Sequence, residues 1–131
     1  MSKTALTWKL DVTKSSDLKA SGGQTEGMIR QNAITGLTDN ICASCMIAHP
    51  HTASAVHHHG DQDTIVFAFS GHGTVVSDGG KKKQVLAPGD FALIPAWAEH
   101  QEVNEGDVEV VWCIVRSPGP NPHVTNLEGW S

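Results

Sequence analysis

The sequence predicts a single antiparallel all-β domain, and three observations carry that expectation. Thirteen glycines and six prolines cut the 131 residues into short runs. Those runs are rich in valine, isoleucine and threonine, which fit a pleated surface. No segment spaces its apolar residues as an amphipathic helix would. A chain of this length holds one domain, residues 1–131, and buries enough apolar surface to fold without a staple. Closing the strands into a barrel would remove most exposed edges.

Taken in order, residues 6–12 read as a first strand and residues 14–27, rich in serine and glycine, as a mobile loop. Residues 28–34 read as extended. Residues 41–48 make a stronger strand, which ends before Pro50 because proline has no amide proton for a ladder. Residues 56–59 form a short strand that stops at Gly60-Asp61, and residues 64–70 (TIVFAFS) are the clearest β segment. Residues 73–77 and 84–86 flank Asp78-Gly79-Gly80 as a hairpin. After the turn Pro88-Gly89-Asp90, residues 91–94, 99–103 and 108–115 are the remaining strands. The last is apolar almost throughout, as a strand covered on both faces would be. Residues 117–122, rich in proline and glycine, read as irregular.

Composition excludes several partners. The net charge is −5 and the only arginines are Arg30 and Arg116, which argues against nucleic acid. The one basic run, Lys81-Lys82-Lys83, belongs to a solvated hairpin tip. No run approaches the roughly 18 apolar residues of a membrane span, and the first twenty residues lack the apolar core of a signal peptide. Three cysteines make no disulfide framework, and Cys42 and Cys45 would face opposite sides of a strand. Buried, reduced thiols in a cytoplasmic protein are the reading that follows.

The chemistry gathers at His57-His58-His59. Residues two apart on a strand share a face, so His57 and His59 project together. Two imidazoles alone make a poor metal site. The surrounding spacing adds to them. From His51, five residues lead to His57 and His59, then Thr64 and Gly71; from Gly89, five residues lead to Pro95, then Trp97, His100 and Asn104. In both blocks, residues 51–71 and 89–104, the chain resembles the cupin superfamily, with His51 and Trp97 at glycine positions and Thr64 at a glutamate position.

That resemblance implies a double-stranded β-helix, or jelly roll, in which His57, His59 and His100 share one divalent ion. Fe2+ or Zn2+ is expected first, with Mn2+ or Ni2+ also compatible, because ligand type alone does not choose among them. Thr64 is a poor ligand where most metal-binding cupins offer a carboxylate. Three neutral imidazoles leave a strongly Lewis-acidic site suited to chelating, oxygen-rich ligands.

Other carboxylates lie near. Asp63 reaches the site only if its strand slips by one residue. Glu102 shares the inward face of His100 and reads as a general base, a partner orienting His100, or a rim residue meeting solvent. His49 and His51 lie on the turn before the ligand strand and are further candidates. Trp97 could wall the pocket, Arg30 could clamp an anionic substrate, and Arg116 reads as a tie for the tail.

The expected function is a metal-dependent small-molecule enzyme, dioxygenase-like in the first instance. The alternatives are a non-redox isomerase, lyase or decarboxylase, and a non-catalytic small-ligand-binding module. Cupins of this size resemble homodimers, and an apolar outer face of Ile65, Phe67 and Phe69 would suit a second subunit.

Overall fold

The computed structural model describes residues 10–21 and 26–131. Its larger sheet is antiparallel and six-stranded, in the spatial order β1 (Lys19–Ala20), β2 (Met28–Ile34), β3 (Cys42–Ala48), β11 (Val110–Ser117), β6 (Asp63–Ser70) and β9 (Phe91–Ile94). A four-stranded sheet has the order β4 (Thr52–Ala53), β10 (Gln101–Asn104), β7 (Gly73–Ser77) and β8 (Lys82–Leu86). A ribbon of β5 (His57–His58) and β12 (Thr125–Asn126) completes the set. The expected barrel is thus realised as two facing antiparallel sheets and a ribbon.

Period-two patterning builds the core. Along β3 every second residue is buried, and along β11 Val110, Trp112, Ile114 and Arg116 turn inward. Met46, Val66, Trp112 and Ile114 from the larger sheet meet Val75 and Leu86 from the smaller. Gly73 lies beneath the Trp112 ring, where a Cβ would come within 2.6 Å of Cζ2.

The outward residues of β11 behave differently from the expectation that both faces are covered. Cys113 is exposed, and neighbouring Ile65, Phe69, Phe91 and Leu93 on β6 and β9 are exposed too. Cys113 stands opposite Cys45, and only Cys42 of the three free cysteines is buried.

Most strands fall where the sequence puts them, shifted by a residue or two at their ends. The expected first strand lies mostly outside the described residues, and residues 10–12 are not in a strand. Strands β1, β4 and β12 are two residues long, too short to leave a pattern in the sequence. The lysine run is exposed at the start of β8. His51 and Trp97 keep the left-handed backbone that glycine would have supplied, with φ of 58° and 65°.

Candidate metal centre

Three short segments converge between the sheets. His57 is on β5, His59 lies just beyond it before the left-handed turn at Gly60, and His100 and Glu102 flank Gln101 at the start of β10. His57 and His100 are bridge partners whose backbones exchange hydrogen bonds of 3.0 and 2.9 Å. Two of the side chains are therefore held in register by main chain alone.

Each imidazole is also fixed through its inner nitrogen. Nδ1 of His57 donates to the Ala55 carbonyl at 2.8 Å, that of His59 to His123 at 2.8 Å, and that of His100 to Ala98 at 2.9 Å. A ring that donates from Nδ1 keeps the lone pair on Nε2 when neutral. All three rings thus offer Nε2 to one point, and the Glu102 carboxylate joins them, with the four ligand atoms within 4.8 Å of one another. The Oε2 atom of Glu102 is 3.0 Å from His57 Nε2 and 2.7 Å from His100 Nε2.

The donor set fits a divalent cation. Lone pairs facing a carboxylate at these distances repel unless a proton or a metal ion stands between them. Three imidazoles and one carboxylate, each imidazole anchored by a carbonyl behind it, make a familiar arrangement for such an ion. Glu102 thus brings to the three imidazoles a negative charge that Thr64 does not.

Without a metal, the group settles its charges internally. Burial favours the neutral form of Glu102, but hydrogen bonding and charge from His100 and His57 outweigh it and hold the carboxyl well below its usual range. Burial alone would lower the His57 pKa, yet Glu102 reverses this and raises it. His59 is pushed down to about 3, first by burial and then by the Arg116 charge.

Arg116 does not tie down the tail. Only 5% exposed, it sends Nε to Thr64 Oγ1 and Nη2 to His59 Nε2, both at 3.2 Å. The tail is instead held by Gln62, which is fully buried. Its Nε2 donates to the carbonyls of Pro118 and Asn121, and its Oε1 accepts from the His123 amide, each at 2.9 Å. Neither role was anticipated. A glutamine beside a turn carries no pattern that separates it from a solvated one.

His57, His59 and Glu102 open into a cavity of about 50 Å³ shared with Arg30, Arg116, Met28, Met46 and Ile114. Arg30 therefore lines the same space as these side chains, and Thr64 is buried against Arg116. The other candidates fall elsewhere. Trp97 is 64% exposed against the His58 ring, in a separate surface depression with Pro122 and His123. Asp63 is exposed and accepts the Ala96 amide. His49 and His51 are exposed beside Glu109 and Asp107. No helix among the described residues is long and apolar enough to cross a membrane.

Residues 45–116 match the family described as the cupin domain. The chain belongs to the cupin family. This cupin is 28% identical over 79 residues to gentisate 1,2 dioxygenase 1 of Aquipseudomonas alcaligenes, a stretch that covers 60% of the chain but 22% of that enzyme. It thus spans about a fifth of that relative's length. Among solved structures, the polyketide cyclase RemF from Streptomyces resistomycificus superposes with a TM-score of 0.75 at 17% identity, covering 91% of this cupin and 86% of RemF. The oxalate decarboxylase of Lactobacillus farciminis, solved as a formate complex, superposes at 0.72 with 22% identity, covering 86% of this cupin and 34% of the decarboxylase. At such identities the two structures establish the fold, and their different activities show that this fold does not determine a reaction.

Proposed function

We propose that this cupin is a metal-dependent enzyme acting on a small, oxygen-rich molecule that chelates a metal ion held by His57, His59, His100 and Glu102. The observation that carries the reading is the convergence of three carbonyl-anchored imidazoles and a carboxylate on one edge of a cavity. Such a group costs stability in an empty core and makes sense as a binding site.

Oxygenase chemistry is the first reading, supported by the relationship to a gentisate dioxygenase over the shared segment. An iron(II) ion in this site would supply the one-electron chemistry that O2 requires, and any divalent ion there would polarise a carbonyl or enolate. The chain's own contribution is orientation and exclusion. The β5–β10 bridge fixes the ligand directions, Met28, Met46 and Ile114 keep water from one side, and the guanidiniums favour negative charge on the substrate. The second reading is non-redox lyase or decarboxylase chemistry, favoured by Glu102, whose carboxylate is close enough to the open space to exchange a proton there.

The deciding experiment is metal analysis of untagged protein beside a His57→Ala/His59→Ala/His100→Ala variant, followed by O2 uptake with catechols, diketones and hydroxy acids. About one equivalent of metal, lost in the variant, supports the site. Turnover only with iron and O2 supports the first reading, and anaerobic turnover with zinc or manganese the second. No metal after reconstitution with iron, zinc, manganese and nickel refutes both and leaves a small-ligand-binding cupin.

A further inference from the structure

The cavity beside the four ligand side chains is unusually rich in unanswered positive charge. The chain has two arginines, and both line this one space. Glu102 is the one carboxylate among the lining residues, and it is engaged by two imidazoles. Arg116 is almost fully buried, and its Nη1 has no hydrogen-bond partner among the described residues. A buried charged donor left without an acceptor is costly, and proteins rarely retain one unless something from outside completes it.

A second consideration concerns Nη2. Its acceptor is the Nε2 lone pair of His59, the same lone pair that a metal ion would take. One lone pair cannot serve both. When His59 ligates a metal, Nη1 and Nη2 are both left without partners while Nε stays on Thr64. Those two nitrogens form the end of the guanidinium fork, whose spacing matches the two oxygens of a carboxylate.

Thr64 fits the same pattern. It stands directly opposite Arg116 in the β6–β11 ladder, and its hydroxyl engages only Nε. A glutamate there, as the family resemblance leads one to expect, would pair with the guanidinium and cancel its charge.

We propose that Arg116 is a substrate anchor, and that the ligand of this cupin is a carboxylic acid whose carboxylate is held end-on by Nη1 and Nη2, with Arg30 adding a second positive charge. The inference rests on the reading that this cavity is the substrate site. It narrows the class from oxygen-rich molecules in general to small carboxylates, whose carbon atoms would lie against Met28, Met46 and Ile114.

The probe is oxalate, titrated calorimetrically into zinc-loaded and metal-free protein, with zinc content measured for every sample. Arg116→Gln is expected to weaken oxalate binding by about ten- to a hundredfold at unchanged zinc stoichiometry, with Arg116→Lys intermediate. Equal affinity in Arg116→Gln and wild type, with zinc in place, overturns the anchor while leaving the metal site standing. If the wild type takes up no metal, the metal reading fails by itself, and the anchor is then decided on metal-free protein. Because Arg116→Gln removes a buried group, the wild type also provides a readout that needs no variant. With only two arginines in the chain, its Arg Nε–Hε NMR signals are simple to assign, and oxalate should shift that of Arg116. Thr64→Glu should abolish that shift; an Arg116 signal indifferent to oxalate overturns the proposal.

Discussion

Gln62→Met separates the support of the candidate site from the site itself. The side chain is fully buried and spends its amide entirely on the tail, donating to Pro118 and Asn121 and accepting from His123, each at 2.9 Å. Methionine has nearly the same volume and shape, so no cavity opens. What is lost is three hydrogen bonds, leaving two carbonyls and an amide unsatisfied at about 1–3 kcal/mol each if they stay buried. They need not stay buried. Asn121 and His123 are at the surface, so the tail can lift into water far more cheaply than the core can unfold. Lifting it removes the His123 carbonyl from Nδ1 of His59 and frees that ring to rotate. Removing such a supporting partner lowers metal affinity by about ten- to a hundredfold. Zinc competition against a chromophoric chelator measures this, and hydrogen exchange at residues 118–126 should accelerate while β3 and β11 stay protected. Zinc affinity within twofold of wild type, with the tail amides demonstrably loosened, would refute the argument that the tail orients His59.

Glu102→Gln should weaken metal binding by about a hundredfold or more, since it removes the one anionic ligand and leaves Arg116 and Arg30 facing the cation; retention of full zinc affinity would remove Glu102 from the ligand set. In metal-free protein the lowered Glu102 pKa contributes stability above its ordinary value near 4.5 and loses it as pH falls, while the raised His57 pKa contributes below its ordinary 6.5 and loses it as pH rises through the folded value. The lowered His59 pKa costs stability as pH falls below 6.5, so the melting temperature should peak close to about pH 6.5, and a curve still rising from pH 7 to 9 would contradict the Glu102–His57 pairing. Trp97→Gly should stabilise the fold by about 0.5–1 kcal/mol by relieving a left-handed backbone, without altering zinc affinity; a lower melting temperature would mean that the His58–Trp97 ring contact matters more. The exposed apolar face of Ile65, Phe69, Phe91 and Leu93 leads us to propose a homodimer, which Phe69→Glu/Leu93→Glu should dissociate; a monomeric mass for the wild type by light scattering at micromolar concentration would end that proposal.

The histidines are legible in the sequence because strand parity and motif spacing are local properties, and β5 and β10 obey them. Parity also carries Glu102 to the inward face, though not its distance from the imidazoles, which depends on the bridge between His57 and His100. Arg116 departs from the sequence expectation for a physical reason. An arginine closing an apolar strand looks like a rim residue, and its buried partner Thr64 is 52 positions away. Gln62 and His123 are 61 positions apart and meet only in the folded chain. The outer face of the larger sheet misled in another way. Apolar residues on both sides of a strand suggest that both sides are covered, yet here Cys113 and the neighbouring Ile65 and Phe69 are exposed within the chain.

The carbonyl that steers His59 belongs to a residue 64 positions further along. The same stretch of chain pairs with β5 through Thr125 and Asn126 and is gripped by Gln62, so it reaches the candidate centre from behind. A disturbance at the exposed surface around residues 121–126 would therefore be felt first at the His59 ring and only afterwards by the apolar core, which makes this surface a handle on the candidate site.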